Sequence, residues 1–154
     1  MSDLNRIEAF LNHKRLAMVG VSRDPRDFSR VVFRELLQRQ YDVVPVNPAA
    51  TSIEDRTCYA LLQEIQPPVE AALILTPPEV TEDVVHECVA AGVKSIWLHR
   101  AVGAGAVSQN ALSYCKEHHI EVVAGYCPLM FLPNTGFIHR VHRFFSKLSG
   151  RYPK

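Results

Sequence analysis

The stretch that decides the fold is Leu16-Ala-Met-Val-Gly-Val-Ser-Arg23. Its first four residues are all apolar, which is typical of a strand covered on both faces in a parallel sheet. Gly20 ends this strand and permits a tight turn into a polar loop. After the loop, apolar residues recur at helical spacing over residues 29–40, with Ser29 as the predicted N-cap. The stretch therefore predicts a strand, a loop and a helix in succession.

The same succession repeats along the chain. Further strands are predicted at residues 41–46, 71–75, 95–98 and 120–124. Helices are predicted at residues 3–13, 77–91 and 107–118, with a short helical piece at 58–65 after a brief edge strand near 57–58. Thr76 is the predicted N-cap of the helix at 77–91, because Pro77 and Glu79 complete a capping box. Such alternation predicts an α/β fold, a three-layer Rossmann-like domain with a parallel sheet of five to six strands.

Length and composition favour one ordinary globular domain over residues 1–154. The chain is 47% apolar and 21% charged, and its net charge of +1 predicts no strong attraction to nucleic acid or to a membrane. The first residues lack the apolar core of a signal peptide, and no apolar run reaches the length of a membrane span. The four cysteines form no Cys-x-x-Cys motif, as expected for free thiols in a reducing cytoplasm. We expect a cytoplasmic protein with a small-molecule ligand.

The C-terminal segment has a charge pattern of its own. Five basic residues and no acidic residue follow Glu121. A basic amphipathic helix is predicted at about residues 136–149, because Ile138, Val141, Phe144, Phe145 and Leu148 recur about every 3.6 residues. Two interpretations stay open: the helix packs on its own sheet, or it forms a homodimer contact.

In an open parallel sheet, ligands bind beyond the carboxyl ends of the strands, at the point where the strand order reverses. Four segments are expected to meet there: residues 20–24, 46–48, 76–78 and 98–100. In the first, Gly20 allows close approach of a ligand, Ser22 offers a hydroxyl, and Arg23, Arg26 and Arg30 offer guanidinium groups suited to phosphate. The segment is not a Gly-x-Gly-x-x-Gly motif, so a polar loop without a ligand remains an alternative.

The second and third segments narrow the choice of ligand. NAD-binding domains place an acidic residue after the second strand, whereas this chain has Val46-Asn47-Pro48 there and no acid before Glu54. This pattern disfavours NAD and leaves NADP and coenzyme A, both of which carry an extra ribose phosphate. At Thr76-Pro77-Pro78, the start of the next helix would offer free N–H groups to a pyrophosphate.

Together these motifs resemble the CoA-binding domain family, small Rossmann-like proteins similar to the N-terminal domain of the succinyl-CoA synthetase α subunit. The resemblance covers about residues 10–127 and rests on the stretches 18–24, 41–48, 76–78, 97–98 and 122–127. It implies binding of coenzyme A or an acyl-CoA, with no assigned reaction. Gly20, Ser22, Arg23, Asn47 and Pro48 would contact the adenosine diphosphate part, and Thr76 and Pro77 the pyrophosphate or the start of pantetheine. The full set of expected cofactor-binding residues is Gly20, Val21, Ser22, Arg23, Arg26, Arg30, Val46, Asn47, Pro48, Thr76, Pro77, Pro78 and His99.

The chain departs from the family pattern at the pantetheine end. Where relatives usually have Trp-Leu-Gln, this chain has Trp97-Leu98-His99. Relatives typically end soon after the position of Cys127, whereas here residues 128–133 lead into the basic segment.

Catalysis and metal binding are weaker interpretations of the same residues. Cys127 and His99, both at strand ends, are compatible with thiol-dependent acyl transfer or disulfide chemistry, but one Cys and one His at strand ends are common by chance in a chain with seven histidines. His139 and His142 would join Cys127 at a metal only if further ligands existed. A non-catalytic CoA-binding protein, with no catalytic residue and no metal, is therefore the preferred hypothesis. Its alternatives are an NADP- or other nucleotide-binding oxidoreductase-like protein and a dimeric interaction module without a ligand.

Overall fold

The computed structural model describes residues 2–100 and 105–133. Within these residues the main sheet has five strands, all parallel to their neighbours. They are β1 (Arg15–Val19), β2 (Asp42–Val46), β5 (Ala71–Ile74), β6 (Ser95–His99) and β7 (Glu121–Tyr126). Between β2 and β5 the chain forms a small antiparallel hairpin of β3 (Ser52–Ile53) and β4 (Arg56–Thr57).

In the described part of the chain, four helices cover the two faces of the sheet. They are α1 (Asp3–Leu11), α2 (Phe28–Gln38), α3 (Pro78–Ala90) and α4 (Gln109–Glu117), with short 3-10 turns at Leu62–Glu64 and Pro128–Met130. Side chains of α1 and α2 pack with Trp97 on one face, and side chains of α3 and α4 pack with Ile96 on the other. The uninterrupted apolar strands are explained by this double burial. The predicted three-layer Rossmann-like α/β fold with a parallel sheet is confirmed.

The strand order is β2-β1-β5-β6-β7, which fixes where the order reverses. The chain moves from β1 outward to β2 and then crosses back to β5 on the other side of β1. Tyr59 adds a single parallel bridge to Val46 beyond β2, at the place of a third strand in the Rossmann order. The switch point is therefore at the carboxyl ends of β1 and β5.

Two predicted helix starts are wrong. In α2 the N-cap is Asp27, whose carboxylate accepts hydrogen bonds from the Ser29 amide at 2.8 Å and the Ser29 hydroxyl at 2.6 Å. In α3 the N-cap is Pro77, with φ −58° and ψ 152° and no side-chain cap. The reason is that Pro78 disfavours helical backbone at the residue before it, so the helix cannot begin at Pro77 as predicted.

The predicted basic helix at about 136–149 lies outside the described residues. Within the described residues, no helix is both long enough and apolar enough to cross a membrane.

Candidate functional site

The loop between β1 and α2, residues 20–27, lies directly against the end of β5. Gly20 has φ +91° and donates its amide to Val46 O at 3.2 Å, while the Leu75 amide donates to Val19 O at 2.9 Å. A Cβ atom at Gly20 would lie 3.1 Å from the Leu75 carbonyl carbon and 3.2 Å from the Thr76 nitrogen. The structure thus brings the first and third predicted segments together at the switch point.

Inside this loop, the polar groups of Ser22 are already used. Its amide donates to Ser29 Oγ at 2.9 Å, and its hydroxyl accepts from the Asp24 amide at 3.0 Å. The buried Val21 side chain anchors the loop in the core. The amides of Val21 and Arg23 have no acceptor among the described residues. Of these two amides, that of Arg23 belongs to an exposed residue, whereas Val21 is 0% exposed, so the Arg23 amide is the one of the pair that a ligand can reach.

At the end of β2, Asn47 holds the loop rather than presenting a free amide. Its Nδ2 donates to Val21 O at 2.8 Å, and its Oδ1 accepts from the Ala49 amide at 2.8 Å. Its backbone amide donates to Tyr59 O at 2.9 Å. Pro48 follows as an exposed residue. The structure thus places Val46, Asn47 and Pro48 beside the loop, with Asn47 as the link.

Arg30 does not have the expected free guanidinium group. Its Nη2 lies 2.8 Å from Glu54 Oε1, and its Nη1 donates to the carbonyl oxygens of Ser22 at 3.3 Å and Arg23 at 3.2 Å. Arg34 contacts the same Glu54 oxygen at 2.6 Å. The hydrogen bond from Arg30, reinforced by Arg34, holds the pKa of Glu54 below its ordinary value. Arg30 therefore holds the loop through most of its donors, and its expected contact with a phosphate stays a prediction.

The other two arginines lie on the surface of the site. Arg23 makes one long hydrogen bond, from Nη1 to Ala49 O at 3.4 Å, and lines a depression of about 320 Å³ together with Arg30 and residues 49–54. Arg26 is 89% exposed and pairs with Asp24 at 3.2 Å, which lowers the pKa of that carboxyl. Arg23 thus retains free donors beside the depression and the loop.

The start of α3 offers fewer donors than predicted. Pro77 and Pro78 have no N–H, and the amides of Val80 and Thr81 both donate to Pro77 O. Among the described residues, only Glu79 in the first helical turn keeps an amide without an acceptor. The Thr76 hydroxyl is buried and hydrogen-bonded to the Thr81 hydroxyl at 2.9 Å. The sequence analysis did not identify Thr81 as the hydrogen-bond partner of Thr76, five residues earlier.

His99 ends β6 at the same edge of the sheet. It is only 8% exposed, and its Nε2 atom is buried with no hydrogen-bond partner. Burial lowers the pKa of this imidazole to about 4, so the ring is neutral near pH 7. Its ring lies 5.7 Å from the ring of Phe28, the first residue of α2. The sequence analysis also did not identify Phe28 as a neighbour of His99, although Phe28 is a large apolar residue directly after a polar loop.

The described residues do not support a reactive thiol or a metal centre at this edge. Cys127 is 1% exposed, and burial raises the pKa of its thiol to about 11. The thiol is therefore protonated near pH 7. No group of three or more His, Cys, Asp or Glu in the described part of the chain could hold a metal ion; His139 and His142 lie outside it.

A larger groove, of about 520 Å³, lies at the outer edge of β7 and is lined by charged residues of both signs. There Arg6 approaches Asp3 at 3.4 Å and Glu121 at 3.7 Å, so its charge is already balanced. This groove is away from the switch point. We therefore place the candidate site at the carboxyl ends of the strands, where the Gly20 turn, the exposed Arg23 amide and the arginine side chains meet.

The sheet order and the glycine turn after β1 define a Rossmann-like α/β domain. Within that class the chain belongs to the CoA-binding domain family, whose sequence profile, described as a CoA binding domain, matches residues 14–133. The matched region therefore extends six residues beyond Cys127, past the expected limit of the resemblance.

Three similar proteins illustrate the family. The alpha subunit of the ADP-forming acetate–CoA ligase II of Pyrococcus furiosus is 28% identical over 137 residues, which are 88% of this chain and 30% of the subunit. This chain thus spans under a third of that ligase subunit. The protein YneT of Bacillus subtilis is 25% identical over 78% of this chain and 86% of its own length. The solved structure of a hypothetical protein from Pyrococcus horikoshii superposes with a TM-score of 0.76 at 26% identity, covering 83% of this chain and 87% of that one.

Proposed function

We propose that this protein binds coenzyme A or an acyl-CoA across the carboxyl ends of β2, β1, β5 and β6. The observation that carries the proposal is the Gly20 turn, whose backbone lies against the Leu75–Thr76 peptide. Beside it, the amide of the exposed Arg23 has no acceptor among the described residues. Backbone donors next to a glycine at a switch point are the arrangement with which such sheets hold a diphosphate.

The end of β2 supports a ligand with an extra ribose phosphate. Asn47 and Pro48 occupy the place where NAD-binding domains have a carboxylate for the ribose hydroxyls. The next acid, Glu54, is paired with Arg30 and Arg34. Arg23 and Arg30 both line the depression beside Ala49, and Arg23, which has only one long hydrogen bond of its own, is the cation that we expect to contact such a phosphate. Adenosine and its 3′-phosphate would lie in this depression.

The buried, protonated Cys127 supports a binding role without bond chemistry. Activity of the ligase relatives belongs to chains of which this one covers only a part. The protein would then act as a carrier or sensor whose bound state is read by a partner.

Calorimetry on the purified protein tests the proposal. Titrations would compare coenzyme A, acetyl-CoA, 3′-dephospho-CoA, NADP, NAD and ATP. We expect coenzyme A to bind more tightly than its dephospho form. Arg23→Ala should reduce this ratio of affinities about tenfold, because a charge-assisted hydrogen bond to the 3′-phosphate is lost.

The matched control is Lys94→Ala. It also removes one positive charge, but Lys94 lies directly before β6, at the amino ends of the strands and away from the candidate site. It should leave the affinity for coenzyme A unchanged. Absence of binding for all six compounds would refute the proposal. A preference for NADP over coenzyme A would replace it with the oxidoreductase-like alternative.

A further inference from the structure

The main sheet has two outer edges, which are formed by β2 and β7. The edge of β2 is protected in two ways: Pro45 has no N–H, and Tyr59 bridges Val46 and donates its amide to Pro45 O at 3.1 Å. Within the described residues, no segment pairs with the outer side of β7. Proteins rarely leave such an edge open, because its unpaired N–H and C=O groups pair readily with another strand.

Two residues of β7 direct both of their backbone groups outward. The Glu121 amide donates to Lys94 O at 3.0 Å, so alternation along the strand directs Glu121 and Val123 toward β6 and directs Val122 and Ala124 away from it. After Ala124 the register shifts by one residue, which ends the regular edge. Val122 and Ala124 therefore provide two N–H donors and two C=O acceptors to whatever lies beside β7.

These backbone groups lie in the groove at the outer edge of β7, which we call the β7 groove. Its lining includes four partly exposed apolar residues, Leu112, Ile120, Val122 and Ala124. Val123 packs in the core next to α1, whereas Val122 and Ala124 pack against the core next to α4. An added strand would therefore lie between the layers of α1 and α4 and would cover the apolar residues.

The edge is complementary to itself. In an antiparallel pair with a two-fold axis at Val123, Val122 of each copy lies opposite Ala124 of the other. Residues in such a position exchange both N–H···O bonds, so every outward group of the two residues gains a partner. An axis at Val122 would instead place Ala124 opposite Ile120, whose amide already donates to Cys115 O at 2.9 Å.

The charges of the β7 groove favour the same arrangement. At the amino end of β7, Arg6 lies 3.7 Å from Glu121, and Lys116 is in the last turn of α4, just before the strand. At the carboxyl end, Asp3 accepts a hydrogen bond from the Tyr126 hydroxyl at 3.0 Å. The two-fold axis brings the net positive end of each copy beside the negative end of the other. A partner with charge of one sign would match only one end of the groove.

We propose that the β7 groove is a homodimer interface, in which the antiparallel pairing of Val122 with Ala124 joins the sheets of two copies into one. The inference goes beyond the proposed function and does not depend on a ligand. β6 separates β7 from β5, so the candidate site between β1 and β5 stays open in the dimer. The two candidate sites would lie at opposite edges of the joined sheet.

Sedimentation equilibrium over a range of protein concentrations measures the dimer. Val122→Pro removes an N–H that points away from β6, so the bonds between β7 and β6 are kept, and proline is tolerated on edge strands. We expect it to raise the dissociation constant of the dimer at least about tenfold, because one hydrogen bond from each copy is lost. The control Val122→Ile keeps the amide and an apolar side chain, and should dimerise like the wild type. Circular dichroism at low concentration checks that both variants are folded.

A second test leaves the strand unaltered. Asp3→Arg and Arg6→Asp each bring like charges together across the two-fold axis, so each should raise the dissociation constant of its own homodimer severalfold. In a mixture of the two variants, opposite charges meet at both contacts, so the heterodimer should be tighter than either homodimer. Asp3 and Arg6 are also 3.4 Å apart within one chain, but a purely intrachain role predicts no gain on mixing.

A wild-type protein that stays monomeric up to roughly 1 mM would overturn the inference. So would a dimer whose dissociation constant is unchanged in Val122→Pro and that shows no gain on mixing, because the copies would then meet at another surface, such as the predicted basic helix. Hydrogen exchange of a peptide that contains Val122 and Ala124 should slow as the protein concentration rises. Slow exchange of that peptide in a monomeric protein would show that the chain covers its own edge, and would also overturn the inference.

Discussion

Gly20 is the residue on which the close contact between the β1–α2 loop and β5 depends. Its φ of +91° is a conformation that other residues adopt only with strain. The three nearest atoms to an added Cβ, at 3.1 to 3.3 Å, all belong to the backbone of Leu75 and Thr76. Backbone atoms of a buried strand end cannot move aside as the tip of a side chain can.

We therefore expect Gly20→Ala to destabilise the protein more than a glycine substitution with the same backbone angle elsewhere. Gly125 offers that control, because its φ is also +91° and an added Cβ meets nothing within 4 Å. Both variants carry the conformational strain, but only Gly20→Ala adds a steric conflict, of about 1–3 kcal/mol. Urea unfolding at pH 7 measures the difference. Equal losses of unfolding free energy would show that the contact with β5 relaxes freely.

At this scale the sequence predicted which residues gather at the site, but not what each one does there. The tight turn at Gly20 was predicted correctly, because a glycine directly after an apolar strand favours a turn. Arg30 was expected to face a phosphate, and its ion pair with Glu54, 24 positions later, was not predicted. No local pattern encodes that pairing, because it depends on where the hairpin folds back. Whether the predicted residues bind a ligand stays a prediction.

At the scale of elements, the β3–β4 hairpin has a structural role that its turn sequence does not indicate. Its two turn residues, Glu54 and Asp55, have φ of +50° and +61°. Tight two-residue hairpins of this kind normally use Asn or Gly at such positions. The sequence analysis predicted only a brief edge strand there, since Glu-Asp is not a turn signal. The turn is held instead by the ion pairs that join Glu54 to Arg30 and Arg34 of α2.

Glu54→Gln should loosen this link between the hairpin and α2. We expect the free energy of unfolding to fall by about 1–2 kcal/mol at pH 7, because the Arg30 side chain, which is only 10% exposed, loses its charged partner. The folded-state pKa of Glu54 is lowered from an ordinary value of 4.5. The stabilisation by the carboxylate is therefore complete above about pH 4.5 and is lost as the pH falls through the folded-state pKa. The difference in unfolding free energy between the wild type and Glu54→Gln should therefore decrease in that acidic range.

Urea unfolding of both proteins at several pH values between 3 and 7 follows this difference. The control is Glu70→Gln, because Glu70 and Lys94 are both well exposed and 3.9 Å apart. Such surface pairs contribute little, so this variant should match the wild type. A Glu54→Gln deficit that stays constant down to pH 3 would contradict an ionised carboxylate as its source.

At the scale of the whole molecule, the alternation of strands and helices was sufficient to predict the layers of the fold. Continuous apolar strands such as Ala71–Ile74 have one explanation, burial between two layers of helices. The ends of the elements were less predictable, since consecutive prolines moved the start of α3 to Pro78. The order of the strands, and with it the meeting of Gly20 with Leu75, follows from crossovers that only the structure shows.

The four cysteines report on this whole fold, because they are buried on both faces of the sheet. Cys58 and Cys127 lie in the core next to α1 and α2, and Cys88 and Cys115 in the core next to α3 and α4. Burial raises the pKa of Cys115 and Cys127 to about 11, so roughly one thiol in a thousand at each site is ionised at pH 8. We therefore expect a disulfide reagent such as Ellman's to label the native protein slowly and all four thiols rapidly in urea. One thiol that reacts at the rate of a free cysteine in the native protein, and is lost in Cys127→Ser, would contradict the buried state of Cys127. It would restore the thiol-chemistry interpretation, because a reactive thiolate would then stand at the end of β7.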